Sequence, residues 1–284
     1  MNAEIALIGG SGVSDTALIK NASTVSISTP FGFPSSPIVL GQVQGRACAF
    51  LARHGPGHRF PPSRVDYRAN IYALKTLGVT TIIAISAVGS LREGIKPLDI
   101  VIPDQIYDRT KLRSNTFFED ICVHVSFTDP FCADISECLR QATQNVGCNL
   151  KLGGTYVCIE GPQFSTRAES NVYRHLGFDV IGMTAMPETK LAREAEMCFG
   201  MLATVTDYDV WREQEVTIET VISNVKKNEA NTRKILKEAV PLLPERGETC
   251  ECRHALRNAI VTSREVIPAA VKEKLGPLIE KYVA

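Results

Sequence analysis

Two carboxylates, Asp207 and Asp209, stand just past the apolar run Met201-Leu-Ala-Thr-Val205, with only Tyr208 between them and Trp211 close behind. A short apolar run that stops abruptly in polar residues reads as a buried strand with a functional loop at its carboxyl end. A carboxylate there is costly to bury without a partner. A lone Asp at a strand end is usually a cap, whereas two around a Tyr mark the place for chemistry. If the strand stays extended, the spacing puts both side chains on one side of it.

A second apolar run, Thr155-Tyr-Val-Cys-Ile159, breaks into Glu160-Gly-Pro-Gln-Phe-Ser-Thr-Arg167. Phe164 in that polar loop is placed either to stack on a flat ring or to fold back into the core. Glu160 and Arg167 are candidates for a structural ion pair. Further upstream, Arg53-His54-Gly55 closes another strand, and a guanidinium beside an imidazole suits a phosphate dianion. Pro56 and two glycines exclude His54 and His58 as a helical metal pair.

Gly9-Gly-Ser-Gly12 follows a strand, so its amides are placed to cradle a phosphate. It is not the dinucleotide pattern, because Asp15 replaces the third glycine, nor a nucleophile elbow, because Val13 replaces the last one. Ser86-Ala-Val-Gly-Ser90 is a third small-residue turn, and small residues let a ligand approach the backbone. Thr184, after Met183, either adds a hydroxyl to the same anion site or caps a helix before Pro187-Glu188. Separately each piece reads as an ordinary turn; together with Arg53 they read as one anion site.

The elements that must carry these residues follow from apolar spacing. Ile5-Ala-Leu-Ile8 predicts a first strand, Ile38–Leu40 and Ala47–Leu51 an antiparallel pair turning at Gly45, and Thr81–Ser86, Ile100–Pro103 and Asp179–Met183 further strands. Helical spacing predicts Tyr67–Gly78, Phe131–Gly147, Ala168–Leu176, Pro187–Gly200, Thr217–Pro241 and a last stretch over Val266–Val283. Strands alternating with helices predict an α/β fold, one domain with a mixed central sheet flanked by helices.

The 284 residues carry 31 basic and 31 acidic side chains, a neutral balance that argues against a general nucleic-acid or membrane-surface binder. No apolar run is long enough to span a bilayer, and the opening residues lack the order of a signal peptide, so a cytoplasmic location is expected. Nine cysteines are many for such a chain. Cys48, Cys122, Cys148, Cys158 and Cys198 read as buried small hydrophobes, and no metal-ligand spacing is evident. Cys250-Glu-Cys252 stands apart as either a small strained disulfide or two free thiols.

Taken together, Ile8-Gly-Gly-Ser-Gly12, Thr29-Pro-Phe-Gly32, Leu51-Ala-Arg-His-Gly55, Gly89-Ser-Leu-Arg-Glu93, Glu160-Gly-Pro-Gln-Phe-Ser165, Met183-Thr184 and Thr206-Asp-Tyr-Asp209 resemble the trimeric purine nucleoside phosphorylase family, over roughly residues 4 to 240. The resemblance implies a nucleoside-phosphorylase fold, with residues 1–242 as the body and 243–284 as a lid loop and helix of the same domain. It implies a phosphate site of Ser11, Arg53, His54, Ser86, Ala87 and Thr184. Phe164, Ser165 and Met183 would lie at purine and ribose, Asp207 and Asp209 at the N7 and 6-amino edge. Ile218, Val221 and Ile222 would line a 5'-alkylthio pocket that His124 reaches from a neighbouring subunit of a homotrimer or hexamer. Small-molecule nucleoside and phosphate are the implied partners, without nucleic acid or membrane; phosphate is co-substrate, and no cofactor or metal is implied. The segment from about 243 on resembles the extended form of some archaeal members, which adds weight to the disulfide reading.

Phosphorylases of this family that act on inosine and guanosine carry Glu after the loop Phe and Asn where Asp207 stands; this chain has Ser165 and Asp207. A carboxylate accepts hydrogen bonds from a 6-amino group and repels a 6-oxo group unless protonated. The expected reaction is 5'-methylthioadenosine plus phosphate giving adenine and 5-methylthioribose 1-phosphate, with Asp207, kept neutral by burial and by Asp209, as general acid at N7. The alternatives are phosphorolysis of adenosine, inosine or methylthioinosine, and hydrolysis by a nucleosidase.

Overall fold

The computed structural model describes residues 2–10, 18–212, 218–245 and 250–283, with Ile218 described by its backbone alone. Ser11 therefore lies outside the described residues, as does the side chain of Ile218. The strands are β1 (Ile5–Gly9), β2 (Lys20–Val25), β3 (Ile38–Val43), β4 (Arg46–Ala52), β5 (Thr81–Ser90), β6 (Ile100–Ile102), β7 (Gln105–Arg109), β8 (Leu150–Leu152), β9 (Thr155–Ile159), β10 (Val180–Gly182) and β11 (Cys198–Asp207). The helices are α1 (Tyr67–Thr76), α2 (Ala133–Val146), α3 (Arg167–His175), α4 (Ala185–Glu194), α5 (Ile218–Leu242), α6 (Ala269–Leu275) and α7 (Glu280–Val283).

All these strands join one mixed sheet. Its main path runs β2-β3-β4-β1-β5-β10-β9-β7, and β11 leaves it at β5 to carry β6 and β8. The branch depends on the length of β5. Its first residues lie parallel between β1 and β11, and its last two, Gly89 and Ser90, turn to pair antiparallel with β10. β1 is buried throughout and β11 everywhere but at Asp207, as parallel strands covered on both faces must be. The central strands β1, β5 and β11 all run toward the same edge, where Gly10, Ser86–Ser90 and Asp207 emerge.

The helices begin and end on local signals. Asp66 caps α1 by accepting from the Ala69 amide at 3.1 Å. Thr166 and Glu169 form a reciprocal capping box at the start of α3, and α2 ends at Gly147 in the left-handed region.

Several boundaries differ from the spacing-based expectation. The helix expected over Pro187–Gly200 ends at Glu194, because Glu196 takes a left-handed φ of 54° and β11 begins at Cys198. The stretch expected to be helical over Val266–Val283 is divided at Gly276-Pro277 into α6 and α7, since Pro cannot continue a helix. Strands β2, β7 and β8 carry no apolar run; β2 and β7 are edge strands with mostly exposed side chains. Cys122 is exposed and Cys148 only half-buried, neither a fully buried hydrophobe, and none of the nine cysteines is in a disulfide, Cys250 and Cys252 included. The C-terminal segment belongs to the same core. Leu256, Ile267, Leu275 and Ile279 pack in the cluster built on α1 and the sheet, and Ile260 bridges to Val123. No helix among the described residues is long and apolar enough to cross a membrane.

Candidate functional site

A cavity of about 450 Å³ opens where the central strands end. Of the predicted residues it gathers Arg53, His54, Ser86, Ala87, Phe164, Met183, Thr184, Asp207, Asp209 and Val221 in its walls. The cavity is large enough for a nucleoside-sized ligand.

The anion end is built on Arg53, fully buried just beyond β4. Its Nε and Nη2 donate to the two carboxylate oxygens of Glu188 at 2.7 Å each, and Nη1 donates to the Ile85 carbonyl at 2.8 Å. Burial opposes the guanidinium charge, and Glu188 more than restores it. A guanidinium carries five N–H donors; three are committed to these described partners, which leaves two. The fork is thus fixed in plane by Glu188 and presents its remaining donors from a rigid base. Gly10 must be glycine for this packing, because a Cβ there would meet Arg53 Nη1 at 2.8 Å and the Ile85 carbonyl oxygen at 2.9 Å.

His54 joins Arg53 at the anion end as a neutral ring. Its Nδ1 lies 2.9 Å from the Phe60 carbonyl. A carbonyl only accepts, so Nδ1 carries the proton and a neutral ring has an acceptor at Nε2. Burial first, then the charge of Arg53, pull its pKa down to about 3. His54 is therefore neutral near pH 7, stacked on His58 with ring centroids 4.1 Å apart. It can accept a proton-bearing oxygen, not supply a second cation.

Ser86 and Thr184 meet at 3.1 Å, and Ser86 lies 3.1 Å from the buried Tyr156 hydroxyl. Thr184 precedes α4, yet its side chain makes no capping bond; the hydroxyl goes to Ser86 and the cavity instead.

At the other end, β11 carries a bulge. Val205 pairs with Val88 and Asp207 with Gly89, which leaves Thr206 as the extra residue. The chain then turns, with Asp209 at a left-handed φ of 53°. Asp207 and Asp209 share the cavity because of the bulge and turn, not because the strand stays extended as the spacing suggested. Trp211 Nε1 donates to the Ser90 carbonyl at 2.8 Å, and from α5 Asn224 and Asn228 donate to the carbonyls of Thr206 and Val205. A Cβ on Gly89 would meet Asp207 Oδ1 at 2.9 Å, so this glycine serves the carboxylate as well as the open strand end.

The hydrogen bonds of Asp207 bear on its protonation. Its Oδ1 accepts from the Asp209 amide at 2.7 Å. Thr206 Oγ1 lies 2.7 Å from Asp207 Oδ2 and 3.1 Å from the Val88 carbonyl. A hydroxyl has one proton to donate. With Asp207 ionised that single proton is shared between the carboxylate and the Val88 carbonyl; with Asp207 protonated, Asp207 donates to Thr206 and Thr206 donates fully to Val88. Burial raises the pKa of Asp207 against these bonds, and burial also raises that of Asp209, with Asp207 adding its charge. Asp209 Oδ2 is buried with no hydrogen-bond partner among the described residues.

Some expected residues fall elsewhere. Ser165 does not line the cavity as Phe164 does, and its hydroxyl is buried without a hydrogen-bond partner among the described residues. Ile222 is 49% exposed, about a hundred degrees around α5 from Val221, and lies outside the cavity of the single chain. His124 lies on a different surface depression, its amide bonded to the Ala259 carbonyl. Glu160 pairs with Arg113, not Arg167, which instead opens α3. Among the described residues from 243 on, none lines the cavity.

Arg113, Tyr156 and Glu188 were given no role from the sequence, and Thr206 only a place in the motif Thr206-Asp-Tyr-Asp209. Arg113 is nearly fully buried and donates to the carbonyls of Met183, Met186 and Glu160 besides the Glu160 carboxylate. It ties together the two loops that carry Phe164 and Thr184. Tyr156 hides inside an apolar run and Glu188 inside a helix. A buried arginine's need for a partner was the one signal that could have found Glu188.

The family model described as the phosphorylase superfamily matches residues 4–241. An S-methyl-5'-thioadenosine phosphorylase of Koribacter versatilis is 52% identical, over 99% of this chain and 97% of its own. A crystal structure of a methylthioadenosine phosphorylase from an Antarctic soil metagenomic library superposes with a TM-score of 0.92 at 50% identity, covering 98% of this chain and 99% of the other. A methylthioadenosine phosphorylase from Schistosoma mansoni in complex with adenine gives a TM-score of 0.88 at 36% identity, covering 92% and 99%.

Proposed function

We propose that this chain, which belongs to the phosphorylase superfamily, catalyses phosphorolysis of 5'-methylthioadenosine to adenine and 5-methylthioribose 1-phosphate. The observation that carries the reading is the polarity of one cavity: a rigid buried guanidinium with hydroxyls at one end, and a carboxyl poised to hold a proton at the other. Relatives named for this activity, alike over the full chain, support it.

In this reading phosphate is co-substrate and no cofactor takes part. Phosphate sits against the two remaining Arg53 donors, the Ser86 and Thr184 hydroxyls and the Ala87 backbone, with Ser11 assigned to it by the family resemblance. Neutral His54 accepts from the protonated phosphate oxygen or a ribose hydroxyl. The purine packs on Phe164 and Met183, and Asp209 Oδ2 accepts from its 6-amino group. Phosphate attacks C1' as the glycosidic bond breaks through a cation-like ribosyl centre, which its charge stabilises. Asp207 gives its proton to N7, so adenine leaves neutral. As it does so, the Thr206 hydroxyl swings from the Val88 carbonyl to the new carboxylate and stabilises it. Such positioned proton transfer typically contributes roughly 10²–10⁴-fold. Val221 meets the 5'-methylthio group, and His124 of a neighbouring subunit closes that pocket in a homotrimer or hexamer.

Turnover of 5'-methylthioadenosine, adenosine, inosine and methylthioinosine, compared in phosphate buffer, tests the assignment. 5'-Methylthioadenosine should have the highest kcat/KM and inosine the lowest. Inosine cleaved as well as 5'-methylthioadenosine would overturn the role given to Asp207 and Asp209.

A further inference from the structure

Four of the nine cysteines converge at the opposite end of β11 from Asp207. Cys132 stands just before α2, Cys198 opens β11, and Cys250 and Cys252 lie in the C-terminal turn around Glu251–His254. Their four sulfurs all lie within 4.8 Å of one another. Cys250 is 3.8 Å from Cys132 and 3.5 Å from Cys198, sulfur to sulfur. Among the described residues this is the one cluster of His, Cys, Asp or Glu groups with metal-ligand spacing. It was invisible in the sequence because the ligands come from three segments separated by about fifty residues or more.

We propose that Cys132, Cys198, Cys250 and Cys252 form a closed tetrathiolate site that binds one zinc ion. The geometry is the main argument. Zinc–sulfur bonds of about 2.3 Å in a tetrahedron set the sulfurs about 3.8 Å apart; Cys250 lies 3.8 and 3.5 Å from Cys132 and Cys198, and no separation exceeds 4.8 Å. Four protein ligands leave no open position, which is the mark of a structural site and not a catalytic one. Soft thiolates select zinc over the hard cations.

The surroundings suit a thiolate cluster. Cys132, Cys198 and Cys252 are buried and Cys250 half-buried. Cys132 sits at the positive end of α2. Arg253 and the acidic Glu4, Asp134 and Glu245 line the surface depression over Cys132, Cys198 and Cys250. The backbone is anchored on each side: the Cys132 amide donates to the Phe199 carbonyl at 2.8 Å, Cys198 to Thr80, and Arg253 to the Cys250 carbonyl. Binding exchanges the thiol protons for the metal, with no change of oxidation state. The consequence is a staple that ties the C-terminal segment to the start of β11 and the start of α2, about 30 Å along β11 from the cavity.

The test is elemental analysis of the intact protein purified without chelator, together with cobalt substitution of reduced, metal-free protein. The expected result is about one zinc per chain, a tetrahedral cobalt–thiolate spectrum with sulfur-to-metal charge transfer, and a lowered Tm after chelation. The Cys250→Ser/Cys252→Ser variant should lose the zinc. The cobalt spectrum is read on the unmodified protein, so the test survives if that variant fails to fold. Metal-free protein with all nine thiols titratable, or mass spectrometry placing Cys250 or Cys252 in a disulfide, would overturn the proposal.

Discussion

At the scale of single residues, the account turns on one proton. Thr206 offers one hydrogen to two acceptors, and a protonated Asp207 resolves the mismatch. Asp207→Asn keeps the shape and removes the acid. It should lower turnover of 5'-methylthioadenosine by roughly 10²–10⁴-fold, while the Kd for inorganic phosphate, measured by calorimetry, changes little. Unchanged turnover would remove Asp207 from the mechanism. This carboxylate was legible in the sequence, as were Arg53, Ser86 and Thr184, because each lies where an apolar run gives way to polar residues, and Phe164 because it is an aromatic inside a polar loop. The opposite pattern hid Tyr156 and Glu188: a polar group inside an apolar or helical stretch looks like part of that stretch until its partner is seen. His54 was legible as a site residue but not in its role, since its neutral form depends on the Phe60 carbonyl six residues on.

At the scale of elements, the site depends on how β5 and β11 end. The bulge at Thr206 and the left-handed Asp209 bring two carboxylates into one wall, and Gly89 on β5 leaves room for them. Gly89→Ala puts a methyl 2.9 Å from Asp207 Oδ1. Overpacking of this kind costs about 1–3 kcal/mol, and here the group that must move is the acid itself. The variant should fold, with urea unfolding shifted by about that amount, and should lose at least about tenfold in kcat, since a small misplacement of a reacting group is heavily penalised. Wild-type kinetics would show that Asp207 tolerates displacement. The apolar central strands and the capped helices were readable from periodicity. The polar edge strands β2 and β7 were not, because an edge strand need not bury a face, and a bulge leaves no compositional trace.

At the scale of the whole molecule, the α/β fold with a mixed central sheet was predicted from the alternation of strands and helices, and the branching of that sheet at β5 was not, because it depends on which long strand pairs twice. The C-terminal segment shares the main core, so its loss would unfold more than itself. One buried acid makes stability sensitive to pH. Glu194, 7% exposed, accepts from the Phe117 amide and the Thr116 hydroxyl, and burial pushes its pKa from 4.5 up to about 7. Its folded-state pKa lies above the unfolded one, so the stability it contributes is complete below about pH 4.5 and is lost as pH rises through about 7. Urea unfolding should show that decline, up to about 1.4 kcal/mol per pH unit across the window, and Glu194→Gln should flatten it. An equal slope in the variant would assign the effect to other groups.

The central claim is that phosphate, held at the Arg53 end of the cavity, is the nucleophile that releases adenine. The direct measurement is adenine release from 5'-methylthioadenosine by the purified protein, with and without inorganic phosphate, with the sugar product identified by mass spectrometry. The account predicts release that requires phosphate and yields 5-methylthioribose 1-phosphate in equal amount. Release at the same rate without phosphate, yielding free 5-methylthioribose, would contradict it.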